Sequence, residues 1–577
     1  MRRIAFPFLS LIAVFVIIGE SQGQIHIYGA LSGTLEDTTY IVDGDIFVGV
    51  DESLIIEPGA QFLFSSYYGF EIKGRLDAVG TADDSIVFMP QAGGITWGGI
   101  KFHDSADDAG RMVYVLITGG IAEGDWPDNC GGGVLLDRCN PIFRNCTITG
   151  NYAEAHGGGV YGTGSYPIYR ARPKFIECVI SNNSSDWDGS GMCFYSCEAF
   201  IKDCIISGNS GPGGGLGCGE SSIIVTGCEI SGNVGGWGAG FVGSHSNRIK
   251  LINCTITNNY ASSCGAGIAI DEESGDVIIE RCNISDNVTD GTGGGILLCS
   301  GGSRITDCLI SGNSAADAGG ISTSGSNLRI DKCTIVDNYA EETAGGIFLI
   351  SSWPTDTISN SIIADNQGEG GIYYYDNDIP RGYFIFNDFH NNPGGNFVGP
   401  QPLGFEIINY VNANGDSCDR FSNIFLDPLF VDPAAADFHL QAGSPCIDAG
   451  NPASPLDPDR TVADIGVFYF NQSDLCGGPT ENSVFMNPEF LQLCSPHPNP
   501  FNPTTVISFS LPVAGLVNLE VFDIAGSRVG VDLASTRIYP PGTHNITFNG
   551  SNLPSGIYFA RMTVGNYIQT QKLVLLK

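Results

Sequence analysis

Residues whose types and spacing suit chemistry stand in two places. Tyr166, Tyr169, Arg170, Arg172 and Lys174 form a dense basic and aromatic run, and Asp186, Trp187 and Asp188 follow shortly after it. Aromatic rings stack on sugar faces and an arginine fork pairs with a carboxylate, so this run is expected to bind an acidic glycan. Carboxylates in the same region are what a glycosidase or lyase needs as acid, base or nucleophile. Farther on, Asp457, Asp459 and Asp464 supply oxygen ligands of the kind Ca2+ takes. The plainer reading makes the first group a variable surface loop whose rings cover an edge, and the second a set of solvated acidic turns. The eight histidines are scattered with no partner pattern, so a Ser–His or Cys–His nucleophile has no support.

What must position these residues is a repeat. Nine times between residues 146 and 366 a small residue is followed by Ile two places on and by Asn five places on. The small residue is Cys at 146, 178, 204, 228, 254, 282, 308 and 333, and Ser at 361. Repeats are spaced 24 to 32 residues apart, while the spacing inside the motif never changes. Cys and Ile alternate with a variable residue, which is the pattern of a strand with one buried face. Four places after the Cys only Gly, Asn or Asp occurs, as in Gly150, Asn182 and Asp286. These residues tolerate a left-handed backbone, so a tight turn is expected there in every repeat. The Asn that follows is expected to bond its own turn and the equivalent Asn above and below. Glycine pairs ahead of an apolar residue, such as Gly158-Gly159-Val160 and Gly294-Gly295-Ile296, let the chain pass close beneath its neighbour. One such repeat cannot bury its apolar face, whereas stacked copies can. The prediction is an all-β parallel solenoid with a narrow core of Ile, Val, Phe and Cys.

The chain has 19 cysteines. Eight fall in one column, where side chains in register point the same way and keep their Cβ atoms too far apart to bridge easily. They read as a buried ladder of thiols acting as small hydrophobes. The irregular ones, Cys130 with Cys139 or Cys193 with Cys197, are expected to pair, and no spacing matches a zinc site.

The run Cys-x-Ile-x-x-Asn followed by Gly-Gly-x-Ile resembles the right-handed parallel β-helix repeats of pectate-lyase-like secreted proteins. It is also similar to the repeats of polymorphic outer-membrane adhesins. The resemblance covers roughly residues 130–375 and implies a right-handed parallel β-helix. It implies no single function, because that fold hosts lyases, hydrolases, adhesins and fibres. Of the polygalacturonase motifs, Arg248-Ile249-Lys250 is present, but the Asn-Thr-Asp, Asp-Asp and His-Gly that should precede it in order are not.

Residues 24–129 keep the strand texture without the motif and read as the cap and opening coils; residues 376–470 read as irregular closing coils. Residues 1–23 read as an export signal, with Arg2 and Arg3 before the apolar Ile4–Ile18. No later segment approaches a membrane-spanning length. Residues 471–496 read as a linker. From 497 to 577, six alternating strands with turn signals between them predict a small Ig-like β-sandwich. Pro498-Asn499-Pro500-Phe501-Asn502-Pro503, Val521-Phe522-Asp523-Ile524-Ala525-Gly526, Ser555-Gly556-Ile557-Tyr558 and Lys572-Leu573-Val574-Leu575 resemble, in that order, the C-terminal sorting domain read by type IX secretion machinery. That resemblance implies the machinery as a partner and a location outside the outer membrane, reached by way of the periplasm.

The formal charge of -36, with only 26 Lys and Arg, argues against nucleic acid as a partner and leaves room for divalent cations. With no complete catalytic set beside so regular a repeat, the expectation is a non-catalytic adhesin, glycan binder or structural scaffold on the cell surface or released from it. The alternative is a lyase or hydrolase acting on an acidic polysaccharide. About sixteen coils, stacked at ~4.8 Å, are expected to span roughly 75 Å.

Overall fold

The computed structural model describes residues 24–472 apart from 92–94, 166–169, 247, 272–273, 300–301, 325–326, 351–355 and 377–381. Beyond these it describes 492–493, 496, 499, 501–511, 515–524, 527–529, 537–539, 542–564 and 567–577. The expected export signal and most of the expected linker lie outside the described residues. The chain divides into two units, the second beginning at Ser473.

The first unit is a parallel β-helix in which successive coils contribute strands to three ladders. Ladder one holds fourteen strands, from Gly33–Leu35 to Tyr383–Ile385. Ladders two and three both start from Ile25–Ala30, whose two parts pair with the two halves of the long strand Thr39–Val48; those halves pair in turn with Gln61–Phe64 and with Phe70–Ile72. Ladder two then runs through Thr147–Thr149 to Asp388–His390, and ladder three through Val160–Thr163 to Phe397–Val398. A short fourth ladder, including Tyr152–Ala153 and Ser184–Ser185, bridges ladders two and three on several coils. The fourteen described strands of ladder one, against the sixteen coils expected, make a stack of roughly 60 Å at ~4.8 Å per step.

Parallel pairing without register shift puts like on like. Ile148 faces Ile180, which faces Ile206, and all three are fully buried. The turn expected four places after each Cys is left-handed in all nine repeats, for instance at Gly150 (φ 66°), Asn182 (54°) and Asp286 (55°). A second left-handed corner, immediately before each Cys, joins ladder one to ladder two. It is occupied by Asn145, Glu177, Asp203, Gly227, Asn253, Arg281, Asp307, Lys332 and Asn360, all at φ between 50° and 66°. Residue type did not disclose this corner, because Glu, Arg and Lys have no special tolerance for that backbone.

The repeated asparagines form a continuous buried column from Asn151 to Asn392. Asn209 is typical: its Nδ2 donates to the Ile180 carbonyl of the preceding coil (3.0 Å) and to Asn233 Oδ1 of the next (3.0 Å). The same Oδ1 accepts the Asn209 backbone N–H (3.0 Å). The thiol column lies one corner away, with Cys146 Sγ 3.3 Å from the Met112 and Arg144 carbonyls. It passes through Ser361 into Asn387 and Asn423, which close the sequence Cys333 N–H to Ser361 Oγ to Asn387 to Asn423.

All seventeen described cysteines are free thiols, so the expected Cys130–Cys139 and Cys193–Cys197 pairs do not form. The reason is which side of the wall each occupies. Cys130 and Cys193 lie in an outer cluster around Tyr161, whereas Cys139 and Cys197 belong to the central core. Burial pushes the Cys130 thiol up to about 11. Contact with the Cys178 thiol, together with burial, pushes Cys204 up to about 12.

Residues 426–470 do not extend the stack. They fold back along the outside of ladder two, where Phe430, Phe438, Leu440, Cys446 and Ile465 cover Leu309, Val336, Ile362 and Ala364.

The second unit is a small antiparallel β domain. One sheet pairs Thr504–Leu511 with Gly542–Asn549; the other centres on Gly515–Asp523, Gly556–Val564 and Tyr567–Leu575. Ile507, Phe509, Leu519, Val521, Met562 and Leu573 fill the space between the sheets. The motifs read from the sequence converge here. Asn499 clasps the last strand through Lys572 O (2.7 Å) and Val574 N (2.7 Å), and Val521–Asp523 pair with Tyr558–Ala560.

Candidate functional site

The basic and aromatic run separates into two corners. Arg170, Arg172 and Lys174 lead from ladder three into ladder one, and two of the three are already engaged. Arg170 Nη1 donates to Ser222 Oγ (3.3 Å), and Arg172 Nε to Glu198 Oε2 (2.8 Å). Lys174 opens a ladder-one strand and is exposed with no partner among the described residues. Tyr166 and Tyr169 lie outside the described residues. Asp186, Trp187 and Asp188 sit at a different corner, between the short ladder and ladder three, with the strand Val160–Thr163 or its equivalents in between.

At that second corner Trp187 joins two residues the sequence reading passed over. Trp126, His156 and Trp187 occupy three successive coils. His156 lies edge-on to Trp126 (6.2 Å) and to Trp187 (6.0 Å), and stacks on Tyr161 (5.9 Å). Tyr161 is buried, while Trp126 and Trp187 stand 57% and 62% exposed. The outcome is a ridge of rings on a buried aromatic base. Carboxylates flank it: Tyr152 Oη donates to Asp186 Oδ2 (2.9 Å), and Glu154 Oε2 accepts the Gly124 N–H (3.0 Å). Burial holds the His156 imidazole below its ordinary range against the opposing charge of Asp188, which keeps the ring neutral. Its Nδ1 is buried without a partner among the described residues. An acidic rim around neutral rings disfavours an anionic ligand and suits the hydroxyls and apolar faces of a neutral sugar. The three ring positions fall at different offsets from the glycines that follow them, so no fixed spacing announced the ridge.

The acidic stretch near the end of the first unit works as a set of clamps. Asp457 Oδ1 accepts Lys332 Nζ (2.7 Å) and its Oδ2 the Asp464 N–H (2.7 Å). Asp464 accepts the N–H groups of Asp448 and Phe470, and Asp459 those of Thr461 and Gln472. Every oxygen of the three carboxylates is thus engaged by the chain itself. Among the described residues no group of three or more His, Cys, Asp or Glu is arranged to hold a metal ion.

Charge is segregated between the faces. Nine of the ten lysines and arginines in the strands of the first unit belong to ladder one, against five acidic residues there. A cleft of about 420 Å³ opens on this basic face, lined by Glu280, Arg304, Asp307, Arg329, Asp331 and Lys332, with Pro455 at its rim. Burial pushes the Asp307 carboxyl up to about 6 against the pull of Lys332.

Residues 125–270, 168–317 and 261–405 match the family described as right handed beta helix region. Residues 496–576 match the secretion system C-terminal sorting domain. No curated protein matches the chain. The protein is a right-handed parallel β-helix repeat protein carrying a type IX sorting domain, and that domain marks it for export to the cell surface or the extracellular space. No helix among the described residues is long and apolar enough to cross a membrane.

Proposed function

We propose that this exported β-helix is a non-catalytic glycan-binding protein of the cell surface, an adhesin in the broad sense, and that it holds neutral sugar rings against the Trp126–His156–Trp187 ridge. The observation that carries the reading is the exposure of two tryptophans on a supported aromatic base, where burying them against a ligand gains apolar contact without rearrangement. The rigid stack beneath supplies the pre-organisation that spares the ligand the cost of ordering its own site.

The test is binding of the full chain to a panel of neutral and acidic polysaccharides, read together with release of reducing and unsaturated ends. Retention on neutral glycans, weakened about tenfold by Trp126→Ala with Trp187→Ala, is the expected result. Release of new ends would replace this reading with a hydrolase or lyase.

A further inference from the structure

Opposite sides of the first unit carry opposite charge at the same spacing. The short fourth ladder lies between ladders two and three, so it faces away from ladder one across the stack. In the last four repeats this ladder and the turns beside it (286–296, 312–321, 337–347 and 365–372) hold carboxylates and no lysine or arginine. Asp286, Asp290, Asp337, Glu341, Glu342 and Glu369 are exposed there. Asp290 accepts the Tyr260 hydroxyl (2.7 Å), and the other five side chains have no hydrogen bond or ion pair among the described residues. Burial and the neighbouring Asp365 push the Asp337 carboxyl up, a repulsion that a cation from outside would relieve. The same corner carries no acidic residue in the three preceding repeats (208–216, 232–241 and 258–268), which sets the patch apart from the aromatic ridge nearer the start of the stack.

Apolar side chains run down the middle of both faces. On the fourth ladder Val234, Tyr260, Val288, Ser314 and Tyr339 stack in register, and the four apolar ones are 38–46% exposed. On ladder one the outward column sets Phe200, Ile224 and Ile278 between Lys174, Lys250 and Arg304. These three cations have no hydrogen bond or ion pair among the described residues, although the chain carries a formal charge of -36. Both columns advance one residue per coil at ~4.8 Å, so two copies lying side by side match coil for coil. The net charge opposes such a meeting only at long range. At ~0.15 M salt the Debye length is ~8 Å, which screens the two chains from one another while charges in contact still pair. Single exposed ion pairs are weak, so the apolar columns supply the packed centre and the charges the choice of partner.

We infer that ladder one of one copy docks against the acidic fourth ladder of a second copy, building an open side-by-side array. The two faces differ, so the contact is heterologous; a dimer keeps one unused face of each kind, and assembly continues. Each face repels its own kind, which disfavours a closed two-fold pairing.

The experiment is sedimentation velocity of the full chain over a range of concentrations, at about 0.15 M and about 1 M salt. At the lower salt the sedimentation coefficient is expected to rise with concentration past that of a dimer, and at the higher to fall back toward the monomer. Glu341→Lys with Glu342→Lys, and separately Lys250→Glu with Arg304→Glu, are each expected to weaken self-association at least about tenfold. An equal mixture of these two double variants is expected to regain assembly, since each altered face then meets its complement, and that rescue shows both to be folded. A wild-type chain that stays monomeric or stops at a dimer, or a mixture no more associated than its components, would overturn the assignment. So would assembly abolished by a chelator, which would place a bridging divalent cation between two acidic faces instead.

Discussion

Lys332 Nζ lies 2.7 Å from Asp457 Oδ1, an ion pair between residues 125 positions apart whose carboxylate is 3% exposed. Lys332 occupies the left-handed corner between ladders one and two, and Asp457 belongs to the segment that folds back over ladder two. The pair fastens the end of the first unit to coils formed much earlier in the chain. Replacing Lys332 with Ala leaves a buried carboxylate with no counter-charge, and is expected to cost about 3 kcal/mol. Urea unfolding followed together with proteolytic cleavage between residues 426 and 470 checks this: cleavage should rise before the coils open.

The asparagine column permits a sharper test. Asn259 Oδ1 accepts both the backbone N–H and the Nδ2 of Asn233, while its own Nδ2 donates to Ile230 O and Asn287 Oδ1. Asn259→Leu strands several buried polar groups at once, at an expected cost of about 3–4 kcal/mol. A midpoint shift of under about 1 kcal/mol would mean that water or backbone movement replaces these bonds.

Stability should depend on pH through Asp388. The carboxyl is fully buried, with Leu426 N–H on one oxygen (3.1 Å) and the Cys446 thiol near the other (3.3 Å). Burial pushes it up to about 8, against about 3.9 for an aspartate in the unfolded chain. The folded state therefore holds a proton that the unfolded state releases between those values. Its contribution is full below about pH 4, declines as pH rises toward about 8, and is flat above. Asp464, pushed up to about 7 by burial, acts in the same direction. Asp388→Asn should flatten most of this decline in urea midpoints measured across that range, and an unchanged slope would locate the dependence elsewhere.

Thiol labelling should divide the described cysteines by depth. Cys264 and Cys299 are half-buried, whereas the column from Cys146 to Cys333 is closed to solvent. Burial and neighbouring thiols also hold Cys254 and Cys282 far above the ordinary thiol range, which removes the reactive thiolate. Alkylation of the native chain followed by peptide mapping should mark Cys264 and Cys299 at least about tenfold faster than Cys254, with the difference lost in denaturant.

Columns were legible in the sequence because parallel stacking repeats one environment at one position. Cys146, Ile148 and Asn151 could be read as core, core and rung from their recurrence alone. Corners set by tertiary pairing were not: Glu177 and Lys332 adopt left-handed backbone because ladders on both sides hold them there. Sites made across coils were legible only in part. Trp187 was visible as an exposed ring, but Trp126 and His156 join it through stacking at irregular offsets. The cleft was hidden more completely, since Glu280, Arg304 and Arg329 become neighbours only in register, and Pro455 arrives from the returning segment.

The asparagine column also has a mechanical meaning. Its hydrogen bonds, like those of the three ladders, run along the stacking axis and link each coil only to the next. Tension applied to the chain ends therefore falls on one inter-coil seam at a time, and coils should peel away singly instead of rupturing together. A scaffold of this kind yields under pull in small, equal and repeatable lengths while the remaining coils keep their shape and their binding faces.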